Sequence, residues 1–183
     1  DLEASIDKAL ACGLQVGVHA IGDRGNRVAL TALESSIERY PENPGRHRIE
    51  HAQTVTAADI PRFSKSDIIA AMQPTHATSD MYWIEDRLGP QRVLDAYTWR
   101  SLIDSGVRLA LGSDFPVEQV NPMLGIHAAV TRQDVKGWPQ GGWYPQENLS
   151  REEAVRGFTL DAAYAGFMEN SVGSLAAGKR ADF

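Results

Sequence analysis

The chain has 183 residues, 18 Lys and Arg against 24 Asp and Glu, and a formal net charge of −6 at pH 7. With 43% hydrophobic and 23% charged residues, it has the composition of one globular domain. Its acidic balance argues against a nucleic-acid or anionic-membrane partner, since both favour a basic face.

In chain order, residues 2–11 are helix-like, with Gly13 as a stop. Leu14-Gln15-Val16-Gly17-Val18-His19 is short, apolar and β-branched, a strand signal. Gly22-Asp23-Arg24-Gly25-Asn26 reads as a turn, and from Arg27 to Tyr40 apolar residues recur at helical spacing until Pro41 and Pro44. Arg48-Ile49-Glu50-His51 is a second strand. Thr56-Ala57-Ala58-Asp59 resembles an acidic capping box and opens a short helix. Asp67 to Met72 is a third strand, followed by a long loop from Gln73. Helical sequence resumes from Gln91 to Asp104, and Val107 to Leu111 is a fourth strand running into Gly112-Ser113-Asp114-Phe115-Pro116. A helix is expected from Met123 to Gln133, then a Gly-, Pro- and Trp-rich loop from Asp134 to Asn148. Ser150-Arg151-Glu152-Glu153 is a capping box for a helix to about Ala165.

Strands alternating with helices predict an α/β fold of parallel βα repeats. A full (β/α)8 barrel takes about 250 residues, so four units look like half of one. An open doubly wound sheet is the rival, although no G-x-G-x-x-G follows the first strand. No apolar run approaches the ~18–20 residues of a membrane span. Cys12, the single cysteine, excludes an internal disulfide and any Cys-x-x-Cys site.

In parallel α/β folds chemistry sits at the carboxyl ends of the strands. His19, His51 and Asp114 fall at three such ends. Nitrogen and carboxylate ligands from separate strands suit zinc, with iron or manganese as alternatives. His47 lies on the second strand too, but four residues place it ~13 Å from His51, too far to share an ion, so it reads as structural. His127 reads as packing or surface. His76 lies on the expected loop, where it either touches substrate or is simply solvated. Asp23 either caps the helix after the first strand or accepts a hydrogen bond that orients His19.

His19-Ala20-Ile21-Gly22-Asp23, Ile49-Glu50-His51-Ala52-Gln53, Gln73-Pro74 and Gly112-Ser113-Asp114-Phe115-Pro116-Val117 occur in that order. Together they resemble the second half of an amidohydrolase-superfamily barrel, most closely amidohydrolase family 3. The resemblance implies strands 5–8 over residues 1–170. It implies a truncated return to a β-sandwich over 171–183, where Gly173 to Phe183 resembles the point at which such chains leave the barrel. It implies His19 and His51 as the metal-binding histidines of strands 5 and 6, and Asp114 as the acidic residue after strand 8. The family's His-x-His after strand 1 and its strand-4 ligand would precede Asp1, so the metal site is expected to be incomplete and weak here.

The leading expectation is therefore a metal-dependent hydrolase of C–N, amide-type bonds in small molecules, of which this chain is a C-terminal segment. The alternatives are a non-catalytic regulatory domain and an open α/β small-molecule-binding domain. The chain opens on Asp1 without Met or signal peptide, so its compartment is unread, with the cytoplasm as default. Open edge strands predict a homo-oligomer. Trp138 and Trp143, with Tyr144, are expected either to line a substrate wall or to pack the long loop in place. Asp114, stiffened by Pro116, is expected either to move protons or to cap a turn.

Overall fold

In the computed structural model, which describes residues 1–181, helix α1 (Leu2–Ala11) precedes strand β1 (Gly17–Ala20), and α2 (Asp23–Arg39) leads to β2 (Arg48–His51). Helix α3 (Ile60–Lys65) leads to β3 (Ile69–Met72). Then α4 (Pro74–Asp80), α5 (Ile84–Arg92) and α6 (Trp99–Asp104) precede β4 (Leu109–Leu111). After β4 come α7 (Pro122–Thr131), α8 (Arg151–Arg156) and α9 (Ala162–Ala165), the last two joined by a π-helical turn at Gly157–Asp161. The strands are parallel and adjacent in chain order, β1-β2-β3-β4. A doubly wound sheet reverses its order at a switch point; the described strands contain no reversal, as in a barrel.

Register alternates the two faces of the sheet. Val18, Ile49, Ala70 and Leu109 share one row and enter the main core with Leu30, Leu33, Phe63 and Leu102 from the covering helices. Helix α2 turns Ala29, Leu30, Ala32 and Leu33 inward, the stripe its apolar spacing demands. The next row, His19, Glu50, Ala71 and Ala110, faces the other way. There Ala71 and Ala110 join only a small cluster with Ile69 and Ala165, against which Tyr164 packs, and His19 is exposed. One glycine is needed for close packing: a Cβ on Gly157 would lie 2.6 Å from Leu111 Cδ1.

Buried polar groups tie the strand ends together. Asn26, fully buried, donates from Nδ2 to the carbonyls of Ile21, Gly22 and Thr54, joining the exits of β1 and β2. The carboxylate of Asp59 is held by Arg27, Arg62 and Thr56. Burial opposes its charge, but these bonds outweigh burial and keep the carboxyl below its usual range.

Several elements differ from the sequence expectation. The segment after Gln73 is not a long loop but α4 and α5, because Pro74 occupies the first turn of a helix, where its missing N–H costs nothing. The helix expected over 91–104 is broken: Ala96 bridges to Thr54, Tyr97 takes φ +54°, and the Tyr97 N–H donates to Gln53 O at 2.7 Å. These long-range bonds override helical propensity. Thr56 does not cap a helix; its hydroxyl donates to Asp59 Oδ2 at 2.9 Å, and α3 begins at Ile60. At Ser150 both halves of the capping box form. Residues 171–181 form turns without a strand, and the last two residues of the expected return to a β-sandwich, Asp182 and Phe183, lie outside the described residues. No helix among the described residues is long and apolar enough to cross a membrane.

His47 is buried at the start of β2's approach, and its Nδ1 accepts the Val16 N–H at 3.2 Å, a bond only the neutral ring can make. Burial lowers its pKa from the ordinary 6.5. The unfolded chain therefore takes up this proton more readily than the folded one. This contribution to stability is full above pH 6.5 and falls as the pH drops. We expect the urea midpoint to fall between about pH 7.5 and 5.5, and to fall less steeply in His47→Gln, whose side chain can still accept the Val16 bond. Parallel pH profiles would show that His47 does not carry the effect.

Candidate metal centre

All the chemistry-bearing side chains collect at the carboxyl edge of the sheet. His51 ends β2 with φ +77°, and Ala52 follows at φ +45°. Such left-handed backbone at non-glycine residues is costly and concentrates at functional sites; the chain nonetheless stays tied to β1, the Ala52 N–H donating to Ala20 O at 3.0 Å. Asp114, three residues beyond β4, has φ +56°. His76 lies in the first turn of α4, which starts directly from β3 through Gln73 and Pro74.

One donor atom from each of His51, His76 and Asp114 lies within 4.8 Å of the others. His76 Nε2 is 3.7 Å from Asp114 Oδ2. The His51 and His76 rings are near-parallel, with centroids 5.7 Å apart. His51 Nδ1 meets Gln73 Oε1 at 2.9 Å. An amide oxygen only accepts, so that nitrogen carries the proton and Nε2 keeps its lone pair. His76 Nε2 is buried and has no hydrogen-bond partner, an arrangement that is expensive unless something else occupies it. Burial lowers the His76 pKa, the nearby carboxylates of Glu118 and Asp114 only partly opposing it, so the ring tends to be neutral, the form that ligates. Two imidazole nitrogens and one carboxylate suit a divalent transition metal.

The expected set was His19, His51 and Asp114. His51 and Asp114 lie in the cluster. His19 is at the same edge, its ring edge-on to His51 with centroids 4.5 Å apart, but it is exposed and outside the three-residue group. His76 is a correction: it is buried in a helix against the cluster, not on a loop. The signal for it lay in Gln73-Pro74 at a strand end, where proline opens a helix and brings its first turn to the site.

Asp23 is not the cap of α2, and no hydrogen bond joins it to His19 among the described residues. Gly22 is the N-cap of α2, and the Asp23 carboxylate accepts from the Arg24 N–H and from Arg92 at 3.1 Å. Asp114 does not cap α7; the Asn121 side chain does, accepting from Met123 N at 3.0 Å.

The aromatic loop divides. Trp143 is a correction to the substrate-wall expectation: it is buried in the core, edge-on to Tyr97 and beneath the Arg132 guanidinium at 4.9 Å. Trp138 is exposed and stacks on Tyr82 at 4.8 Å. Sequence reasoning missed Arg132, which is fully buried and ends α7 at φ +50°. It donates to the carbonyls of Trp143 and Tyr97 and so fastens the long loop. Burial lowers its pKa to about 10, which leaves it charged at neutral pH.

Comparison with known proteins gives a consistent picture. The model of a family described as "Amidohydrolase family" matches residues 1–183. The protein LONG AFTER FAR-RED 3 of Arabidopsis thaliana is 40% identical over 172 residues, 93% of this chain and 29% of that protein. N-substituted formamide deformylase of Arthrobacter pascens is 29% identical over 96% of this chain and 32% of that enzyme. An uncharacterized metal-dependent hydrolase from Pyrococcus furiosus superposes with a TM-score of 0.82 at 34% identity, covering 98% of this chain and 35% of that one. The chain thus spans about a third of the length of the relatives it matches.

Gln73 should set how well His51 binds. Gln73→Leu removes the acceptor at Nδ1 and is expected to weaken zinc binding by roughly 10- to 100-fold, measured by chelator competition. Gln73→Glu, which keeps an acceptor, should retain most of the affinity. Equal affinities in all three would mean that this bond does not orient the imidazole.

Proposed function

The chain belongs to the amidohydrolase family, and we propose that it forms part of a metal-dependent hydrolase of C–N, amide-type bonds in small molecules. The observation that carries this reading is the convergence of His51, His76 and Asp114 within 4.8 Å at the carboxyl edge of a parallel sheet, with the buried His76 nitrogen otherwise unpartnered. The C–N bond is supported by the relative named as an N-substituted formamide deformylase. In this reading β1–β4 are strands 5–8 of a (β/α)8 barrel in a longer protein, residues 1–170 belonging to the barrel and 171–183 beginning the return to a β-sandwich. The strand order and the one-third coverage of the relatives support it.

His51, His76 and Asp114 would hold the ion, with His19 beside His51 as a further donor. Zinc fits the nitrogen-rich set best, with iron or manganese as alternatives. A divalent ion held there would supply Lewis acidity toward a carbonyl and toward water.

The residues of the chain supply the rest. Gln73 keeps the proton of His51 on Nδ1 and so aims its free nitrogen into the cluster. Asp114 is exposed on one side and makes no side-chain hydrogen bond among those of the described residues. Its carboxylate is free to take a proton from the attacking water and deliver it to the departing nitrogen. The C–N bond breaks with that proton on the amine, and the acyl carbon keeps the hydroxyl. Trp138 would stand at the outer margin of the substrate. The face left partly open at Gly17, His19 and Glu50, with β1 and β4 as edges among the described strands, favours association of the isolated chain into homo-oligomers.

Asp114→Asn keeps size and removes the basic carboxylate. In the longer protein at matched metal occupancy, we expect normal folding and a loss of hydrolysis of at least ~10²-fold. Activity within a few-fold of the unaltered protein would remove Asp114 from the proton path. Light scattering on the isolated 183-residue chain tests the association: a stable monomer would contradict it.

A further inference from the structure

Helix α4 has two working faces. His76 points to the metal cluster, while Thr75 and Ser79, one turn apart, and Tyr82 just beyond the helix line a cleft of about 220 Å³ against α7. A residue step turns a helix by about 100°, so Thr75 can face the cleft while His76 faces the cluster, and Glu118, which lines the cleft, lies close enough for its charge to act on the His76 ring. It is smaller than pockets for drug-sized ligands and suits a group of a few heavy atoms.

Its chemistry is one-sided. Glu118, four residues after Asp114, lines it and accepts from Ser79 Oγ at 2.6 Å. Glu118 takes part in no ion pair among the described residues, and no Lys or Arg lines the cleft. The second acid, Asp134, is already occupied. It accepts from the N–H groups of Lys136 and Trp138 and from the Tyr82 hydroxyl, and the Tyr82–Trp138 stack closes that end. His127 Nε2 lies 3.2 Å from the Asp134 carbonyl and so donates there. Thr75 is only 8% exposed, and its buried hydroxyl has no partner. Such a group costs stability unless a ligand or water completes it. The cleft therefore offers a free carboxylate and an unpaired hydroxyl oxygen, with no lysine or arginine of its own.

We propose that the cleft between α4 and α7 is the subsite for the amine half of the substrate, selecting a short N-substituent that ends in an ammonium group. The inference rests on the hydrolase reading for what lies beside the cleft, but the cleft's own preference can be measured without turnover. A hydrogen bond to a charged partner is typically worth ten- to a hundredfold in affinity, which sets the expected size of the effect.

The test uses the metal-loaded longer protein and two alcohols of equal length, 4-amino-1-butanol and 1-pentanol, of which only the first carries an ammonium. By calorimetry the amino alcohol should bind at least about tenfold more tightly, and Glu118→Gln should abolish that preference while leaving 1-pentanol unchanged. Equal binding of the two alcohols would overturn the proposal. So would a preference that survives Glu118→Gln, as direct binding of the amine to the metal would produce. Hydrolysis of the matching pair of N-substituted formamides is then followed separately. If neither is cleaved while the Glu118-dependent preference stands, the C–N hydrolase reading fails and the cation subsite remains.

Discussion

Parallel pairing of the four strands is the constraint on which the rest depends. Because β1 to β4 run in the same direction and in register, their carboxyl ends fall on one edge. The short exits from that edge can then carry donors that are distant in sequence into one small volume. His51 ends β2, Gln73 follows β3 directly, and Asp114 lies three residues past β4. Antiparallel pairing would send alternate exits to the opposite edge and scatter the same residues. The helices that enforce the parallel order also bury the apolar row that keeps the register from slipping, since a shift of one residue would turn that row to the opposite face.

The site edge is made of costly backbone and incompletely satisfied polar groups, and the surrounding structure holds them in place. His51, Ala52 and Asp114 all adopt positive φ, and His76 and Thr75 each bury an unpartnered polar atom. Against this, Asn26 closes three carbonyls at the exits of β1 and β2, and Arg132 fixes the long loop from within the core. Asp80 adds a further tie: its carboxylate accepts from the Tyr97 hydroxyl and from Gln53, and burial raises its pKa. The pattern is a rigid frame around a strained edge, as expected where structure is spent on preorganisation.

Helix α4 links the two halves of the functional argument. Its start is set by β3 and Pro74, and its length is short, so one turn must serve both the cluster and the neighbouring cleft. His76 and Thr75 are adjacent in sequence yet face different chemistry, because consecutive residues on a helix point in different directions. A change in the position of this one turn would therefore alter both metal geometry and the room beside it.

Much of this was legible in the sequence because it depends on local pattern. Four βα units, the parallel class, His51 and Asp114 at strand ends, the capping box at Ser150 and the structural reading of His47 all follow from apolar periodicity, strand spacing and turn residues. What the sequence could not decide rests on contacts between distant segments. The break at Tyr97 comes from bonds to Gln53 and Asp80. Asp23 was drawn to Arg92, Trp143 to the core beneath Arg132, and His76 into the cluster while His19 was left at its open side. Periodicity reports which face a residue occupies along its own element. Which polar groups meet across elements is decided by how those elements pack, and only the tertiary structure carries that information.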